Sequence, residues 1–285
     1  MREVLRVTLI NVLILVATGV VAGFGSGLLG VGGGFVMVPV MYWIVSNASV
    51  PQGTALLVAF GTSLLVILPT AMSGAYRHTR KGAVRWRAAL VLGPCGLAGG
   101  FAGATLATYL PEWVLRTGFG LLVLAIAGWM MAGGTPRALG KLRREELEEN
   151  RWVLAALGIP IGTVSGLTGL GGGALIVPAL VLVLSFPIHV AVGTSVGSII
   201  FTGIGGIIGY VVHGQGVEGL LPCSIGYVNL PMWLCLVSTS IPMAQVGARV
   251  AHALPANKLR YVFAGMQVYI GLRMVGVFDW FGLPL

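Results

Sequence analysis

The residues of this chain best suited to hold a ligand are two matched sets of hydroxyls and glycines. Ser26 precedes the triplet Gly32, Gly33 and Gly34, and Ser165 precedes Gly171, Gly172 and Gly173. Each triplet opens a short apolar run, at Phe35 and at Ala174. Glycine permits left-handed backbone and lets a ligand approach main-chain N–H groups closely. Where such a break starts a helix, the first N–H groups have no intrahelical acceptor, and the positive end of the helix dipole favours an anion. Thr62-Ser63 and Thr194-Ser195 are the repeated hydroxyl pairs of the next apolar segment. The candidate substrate site therefore comprises Ser26, Gly32, Gly33, Gly34, Phe35, Thr62 and Ser63 with Ser165, Gly171, Gly172, Gly173, Ala174, Thr194 and Ser195. Its chemistry is the binding of an anion by neutral donors.

Two structural readings compete at these positions. Glycines in membrane helices commonly serve close helix packing, and Thr and Ser hydroxyls often bond back to their own helix. The residue types argue against an enzyme. His78, His189, His213 and His252 fall at segment ends and form no motif, and no carboxylate lies in mid-membrane. Cys95, Cys223 and Cys235 have no metal-ligand spacing, so neither a metal site nor a cofactor is expected.

These sets belong to a duplication. Residues 19–41 align with 158–180 without a gap, and eleven of the twenty-three positions are identical. Residues 59–63 match 191–195, Gly74 and Gly82 match Gly206 and Gly214, and 103–107 match 247–251. The chain thus divides into a first repeat at 1–133, a charged cytoplasmic linker at 134–150 and a second repeat at 151–285.

Hydrophobic residues make up 56% and charged residues 9% of the chain, against about 25% charged in soluble domains. Several apolar runs are long enough to cross a ~30 Å hydrocarbon core, which makes this an all-α polytopic membrane protein embedded in a lipid bilayer. The net charge of +9 comes from basic residues clustered at segment ends. That is the arrangement of the positive-inside rule rather than of a nucleic-acid surface.

Each half has five apolar segments, and the second of each is only about half a membrane long, as in a re-entrant or broken helix. The basic cluster at 77–87 has no counterpart in the loop after Gly214, whereas Arg249, Lys258 and Arg260 surround a connection that is nearly uncharged in the first half. This asymmetry predicts inverted repeats whose glycine-rich hairpins meet at the midplane, with both termini outside. The rival is a parallel duplication in which each hairpin is one interrupted crossing.

The duplicated Gly-x-x-Ser-Gly-Leu-x-Gly-x-Gly-Gly-Gly-x-x-x-Val-Pro, the following Gly-Thr-Ser and the Gly-Ala-x-x-Ala block resemble the sulfite exporter TauE/SafE family over nearly the whole chain. The resemblance implies a permease of the cytoplasmic membrane for small sulfur-containing anions such as sulfite or organosulfonates. Alternating access between the halves is the expected mechanism, and a passive small-anion channel is the alternative. A coupling ion (H+ or Na+) and a homodimer remain open partners.

Overall fold

The computed structural model describes residues 2–48, 50, 53–131, 151–184, 186–251 and 256–277. The expected linker at 134–150 lies outside them. The first half forms helices α1 (Arg2–Leu29), α2 (Gly34–Ser46), α3 (Ala55–Arg80), α4 (Trp86–Tyr109) and α5 (Glu112–Met131). The second forms α6 (Arg151–Thr168), α7 (Gly173–Leu182), α8 (Ile188–His213), α9 (Leu230–Ala251) and α10 (Ala256–Val275). Strands β1 (Ser224–Ile225) and β2 (Val228–Asn229) pair antiparallel in the loop between α8 and α9. Among the described residues, seven helices are long and apolar enough to cross a membrane, and α2 is a shorter apolar helix. The chain is a multi-pass helical membrane protein.

Equivalent elements of the two halves make equivalent contacts. Helix α1 packs on α9 as α6 packs on α4, and α2 lies on α3 as α7 lies on α8. Helices α3 and α8 pack on each other, and so do α5 and α10. The first helix of each half therefore packs chiefly on the other half.

Small residues make those contacts close. Along α1, a methyl group added at Gly19, Gly23 or Gly27 would collide with backbone at Leu236, Ser240 and Ala244 of α9. Along α6, Gly158, Gly162 and Gly166 meet Leu92, Gly96 and Gly100 of α4 in the same way. Apolar chains gain nothing from leaving lipid for another apolar helix, so close backbone approach supplies the dispersion that holds such pairs together. Both pairs run parallel, because their contacts advance together. The contacts of α3 with α9 also advance together, from Thr62 with Asn229 to Ser73 with Ile241. Those of α3 with α8 run in opposite order, from Gly61 near Tyr210 to His78 near Gly193.

Helix α3 contains Pro69, which deprives the carbonyl four residues earlier of its helical donor. Trp233 of α9 satisfies it, with Nε1–H donating to the Leu65 oxygen at 3.2 Å.

Candidate functional site

Two glycine turns face each other in the interior. Helix α2 starts at Gly33 and helix α7 at Gly172, N-caps in left-handed conformation with φ of 80° and 81°. Only glycine takes that conformation freely, and neither start carries a side-chain cap. The turns are copies in detail. The Gly30 N–H donates to Ser26 O and the Gly169 N–H to Ser165 O, both at 2.9 Å. The Gly33 oxygen accepts from the N–H groups of Val36 and Met37, and the Gly172 oxygen from those of Leu175 and Ile176. A methyl at Gly34 would lie 2.7 Å from the Gly169 oxygen, so the two turns touch.

The repeated Thr-Ser pairs hold this arrangement. Ser63 Oγ donates to Gly169 O at 3.0 Å, and Ser195 Oγ donates to Gly30 O at 2.9 Å, each serine tying down the turn of the other half. Thr62 Oγ1 accepts from the Asn229 N–H at 2.9 Å, and Thr194 Oγ1 from the Arg85 N–H at 3.0 Å. The threonines thereby anchor the chain just ahead of α9 and of α4.

Ser26 and Ser165 behave differently. Each is 1% exposed, and each hydroxyl is without a hydrogen-bond partner. The Ser165 hydroxyl lies against Gly172, where an added methyl would sit 3.5 Å from Oγ. The two hydroxyls occupy equivalent places of the repeat, and both are buried with hydrogen-bonding capacity left over.

All the candidate residues predicted from the sequence are buried, and Phe35 and Ala174, whose side chains are apolar, can offer a ligand only their main chain. Ile67 and Ile199 flank the turns, so the site is closed to water. A cavity of about 560 Å³ lies elsewhere, between α1, α2 and α10, and is lined by Ile14, Pro39, Tyr42, Tyr269 and Arg273 among others. Among the described residues, no cluster of His, Cys, Asp and Glu has the makings of a metal site.

Two residues at equivalent places in the repeat escaped the sequence reading. His78, expected at a segment end, is 1% exposed inside the last turn of α3, with Nε2 3.0 Å from the Gly27 oxygen. Tyr210 is its counterpart on α8, fully buried, with Oη donating to the Gly166 oxygen at 2.7 Å. Each ties the first helix of its own half just before the glycine turn. The signal was their shared place between the matched glycines 74 and 82 and 206 and 214, masked because the residue types differ. Around Tyr210 the rings of Phe60, Phe119 and Tyr227 form an aromatic cluster with centroids 6.0–6.5 Å apart.

Known proteins are similar to this chain across almost its whole length. A probable membrane transporter protein of Methanocaldococcus jannaschii is 29% identical over 263 residues, covering 92% of this chain and 94% of the relative. One of Haemophilus influenzae is 29% identical over 265 residues, covering 92% of this chain and 97% of the relative. A third, YunE of Bacillus subtilis, is 26% identical over 281 residues, covering 93% and 98%. No solved structure matches the chain. The profile of the family described as Sulfite exporter TauE/SafE matches residues 15–274, and the chain belongs to that family of membrane transporters.

Proposed function

We propose that this protein is a secondary transporter of the cytoplasmic membrane. It moves small sulfur-containing anions, such as sulfite or organosulfonates, by alternating access between two inverted halves. The observation that carries this reading is the pair of buried hydroxyls without partners, Ser26 and Ser165, at equivalent places of the repeat ahead of the uncapped starts of α2 and α7, with Ser165 lying against Gly172. Main-chain N–H groups at a helix start and neutral hydroxyls favour an anion without a side-chain charge. The family description names sulfite, a pyramidal anion with three oxygens to satisfy.

Helix directions support the inversion. Helix α1 runs with α9 and α3, α3 runs against α8, and α8 runs with α4 and α6. By that chain of neighbours α1 and α6 are antiparallel. Gly33 lies back beside Ala22 of α1, so α2 returns along the helix it came from, as a re-entrant hairpin does. Positive-inside reasoning then puts Arg77, Arg80, Lys81 and Arg249 at the cytoplasmic end and both termini outside. The turn residues are buried, Phe60 of the aromatic cluster lies beside Gly169, and Ala83 of the α3–α4 loop lies beside Gly193. Passage of an anion therefore needs one half to move against the other.

A thermal-shift and binding screen of purified protein against sulfite, thiosulfate, sulfoacetate, taurine, sulfate and acetate tests this. The sulfur oxyanions are expected to bind and stabilise, with acetate about tenfold or more weaker. Acetate binding as tightly as sulfite, or no binding by any of these anions, overturns the proposal. Counterflow in proteoliposomes separates a transporter from a channel, which supports none.

A further inference from the structure

We infer that the cleft beside α2 binds an anionic phospholipid, with one acyl chain lying along α2 and the phosphate on Arg273. The cleft is the cavity of about 560 Å³ between α1, α2 and α10, a volume ordinary for a small-molecule site. Helix α2 packs on α3, with Met37, Val38, Met41 and Val45 buried. Its other stripe, Val36, Val40, Trp43 and Asn47, recurs every three or four residues and forms the floor of the cleft. Ile14 of α1 and the last turns of α10 form its walls.

The dimensions are those of one leaflet. From Val36 to Asn47 the stripe rises about 16 Å, close to half of a ~30 Å hydrocarbon core. The floor is apolar beside the glycine turn and becomes polar at the end of α2, with Ser46 and Asn47 exposed. An acyl chain and a headgroup follow one another in the same order over the same distance.

The cation stands near the polar end. Arg116 of α5 donates from Nε to the Met274 oxygen at 3.0 Å, and Glu112, one turn before it, bonds the hydroxyl of Tyr42. The last turn of α10 is therefore level with the second half of α2. The charged side chains of α5 at this level are engaged. Arg116 holds the carbonyls of α10, and Glu112 takes the Tyr42 hydroxyl and the Gly53 N–H. Arg273 lines the cleft half-buried, and among the described residues its guanidinium has no partner.

Packing does not call for a cation there. The repeat runs without a gap from Leu110-Pro111 against Leu254-Pro255 to Met130 against Met274, and it sets Trp129 at the place of Arg273. Arginine in a membrane segment is costly and is kept for a partner or an interface. Basic pockets between membrane helices take lipid headgroups, and guanidinium meets a phosphate through two parallel N–H···O bonds. The acyl chain discriminates little, since it leaves lipid for a wall equally apolar. Selectivity lies in the headgroup. The choline cation of phosphatidylcholine offsets its phosphate, whereas phosphatidylglycerol keeps a net negative charge for Arg273.

Trp43, on the floor of the cleft, reports its occupant. Its emission is the difference between the wild type and Trp43→Phe. Full-length protein in phosphatidylcholine nanodiscs is given phosphatidylglycerol or phosphatidylcholine brominated on one acyl chain, in rising proportion. Brominated phosphatidylglycerol is expected to quench Trp43 at about fivefold lower mole fraction. Arg273→Gln should abolish that preference, and Lys81→Gln, at the exposed far end of α3, should keep it. Equal quenching by the two lipids in the wild type, or a preference kept in Arg273→Gln, overturns the inference. So does the absence of quenching by either lipid, the result expected if a second copy of this chain covers the cleft. Free glycerol phosphate that displaces the brominated lipid as readily as unlabelled phosphatidylglycerol does overturns it too, because the site would then take a soluble phosphate. If Arg273→Gln does not fold, Val40→Phe decides, since it narrows the floor and leaves the charge in place. Quenching by phosphatidylglycerol should then need a higher mole fraction, and an unchanged titration overturns the cleft as the site.

Discussion

A hydroxyl sealed from water without a partner costs about 1–3 kcal/mol, and this chain keeps two of them, at Ser26 and Ser165. Folding alone gives no reason for either, because alanine would fill both places. The contrast with Ser63 and Ser195 is instructive, since those hydroxyls donate to Gly169 and Gly30 and hold the turns in place. Ser26→Ala and Ser165→Ala should therefore leave the ligand-free protein as stable as the wild type or more so, by thermal shift. The same variants should weaken sulfite binding about tenfold each, the equivalent of one lost hydrogen bond to a charged group, and weaken acetate less. Loss of stability with unchanged sulfite affinity would make the two hydroxyls structural. Bulk at Gly33 offers no such discrimination. Alanine there meets a left-handed φ of 80° and the Ala22 oxygen at 2.6 Å, so the fold and the site would fail together.

At the scale of helices, one residue type does two jobs, and this limited what could be read in advance. Gly19, Gly23 and Gly27 are packing glycines at four-residue spacing, whereas Gly33 and Gly172 make the turns. Both kinds sit in one repeated motif, so composition and repetition marked the stretch without dividing it. The ten helices and the two short ones among them were legible, because their lengths follow from runs of apolar residues. The β1–β2 hairpin was not, because two-residue strands carry no periodicity. Nor was the task of Thr62 and Thr194, because an acceptor for a backbone N–H more than a hundred residues away leaves no local trace. Two substitutions separate these duties. Gly162→Leu should abolish folded protein in size-exclusion chromatography, because Gly96 backbone leaves the side chain no room. Gly128→Ala, which meets nothing within 4 Å, should be tolerated. Equal tolerance at both would remove the packing account of the stripe.

Across the whole molecule, the inverted arrangement proposed above rests on the repeat, on the distribution of basic residues and on the directions of the helix contacts. Charge counting alone left a parallel duplication nearly as good. The neighbours of α3 argue against it: α3 runs with α1 and α9 but against α8, its own counterpart. A parallel duplication would have α3 and α8 cross in the same direction, and their contacts would then advance together rather than in opposite order. The prediction is that the α8–α9 loop faces outward and the α3–α4 loop inward. The chain carries one of the probes already, since Cys223 is exposed in the α8–α9 loop and is free. With Cys95 and Cys235 replaced by serine, a membrane-impermeant maleimide should label Cys223 in intact cells. With Cys223 also replaced and cysteine placed at Lys81, which is exposed at the other end of α3, labelling should require permeabilised cells. Labelling of both from the same side would mean that α3 and α8 do not cross in opposite senses, and the inverted arrangement would fall.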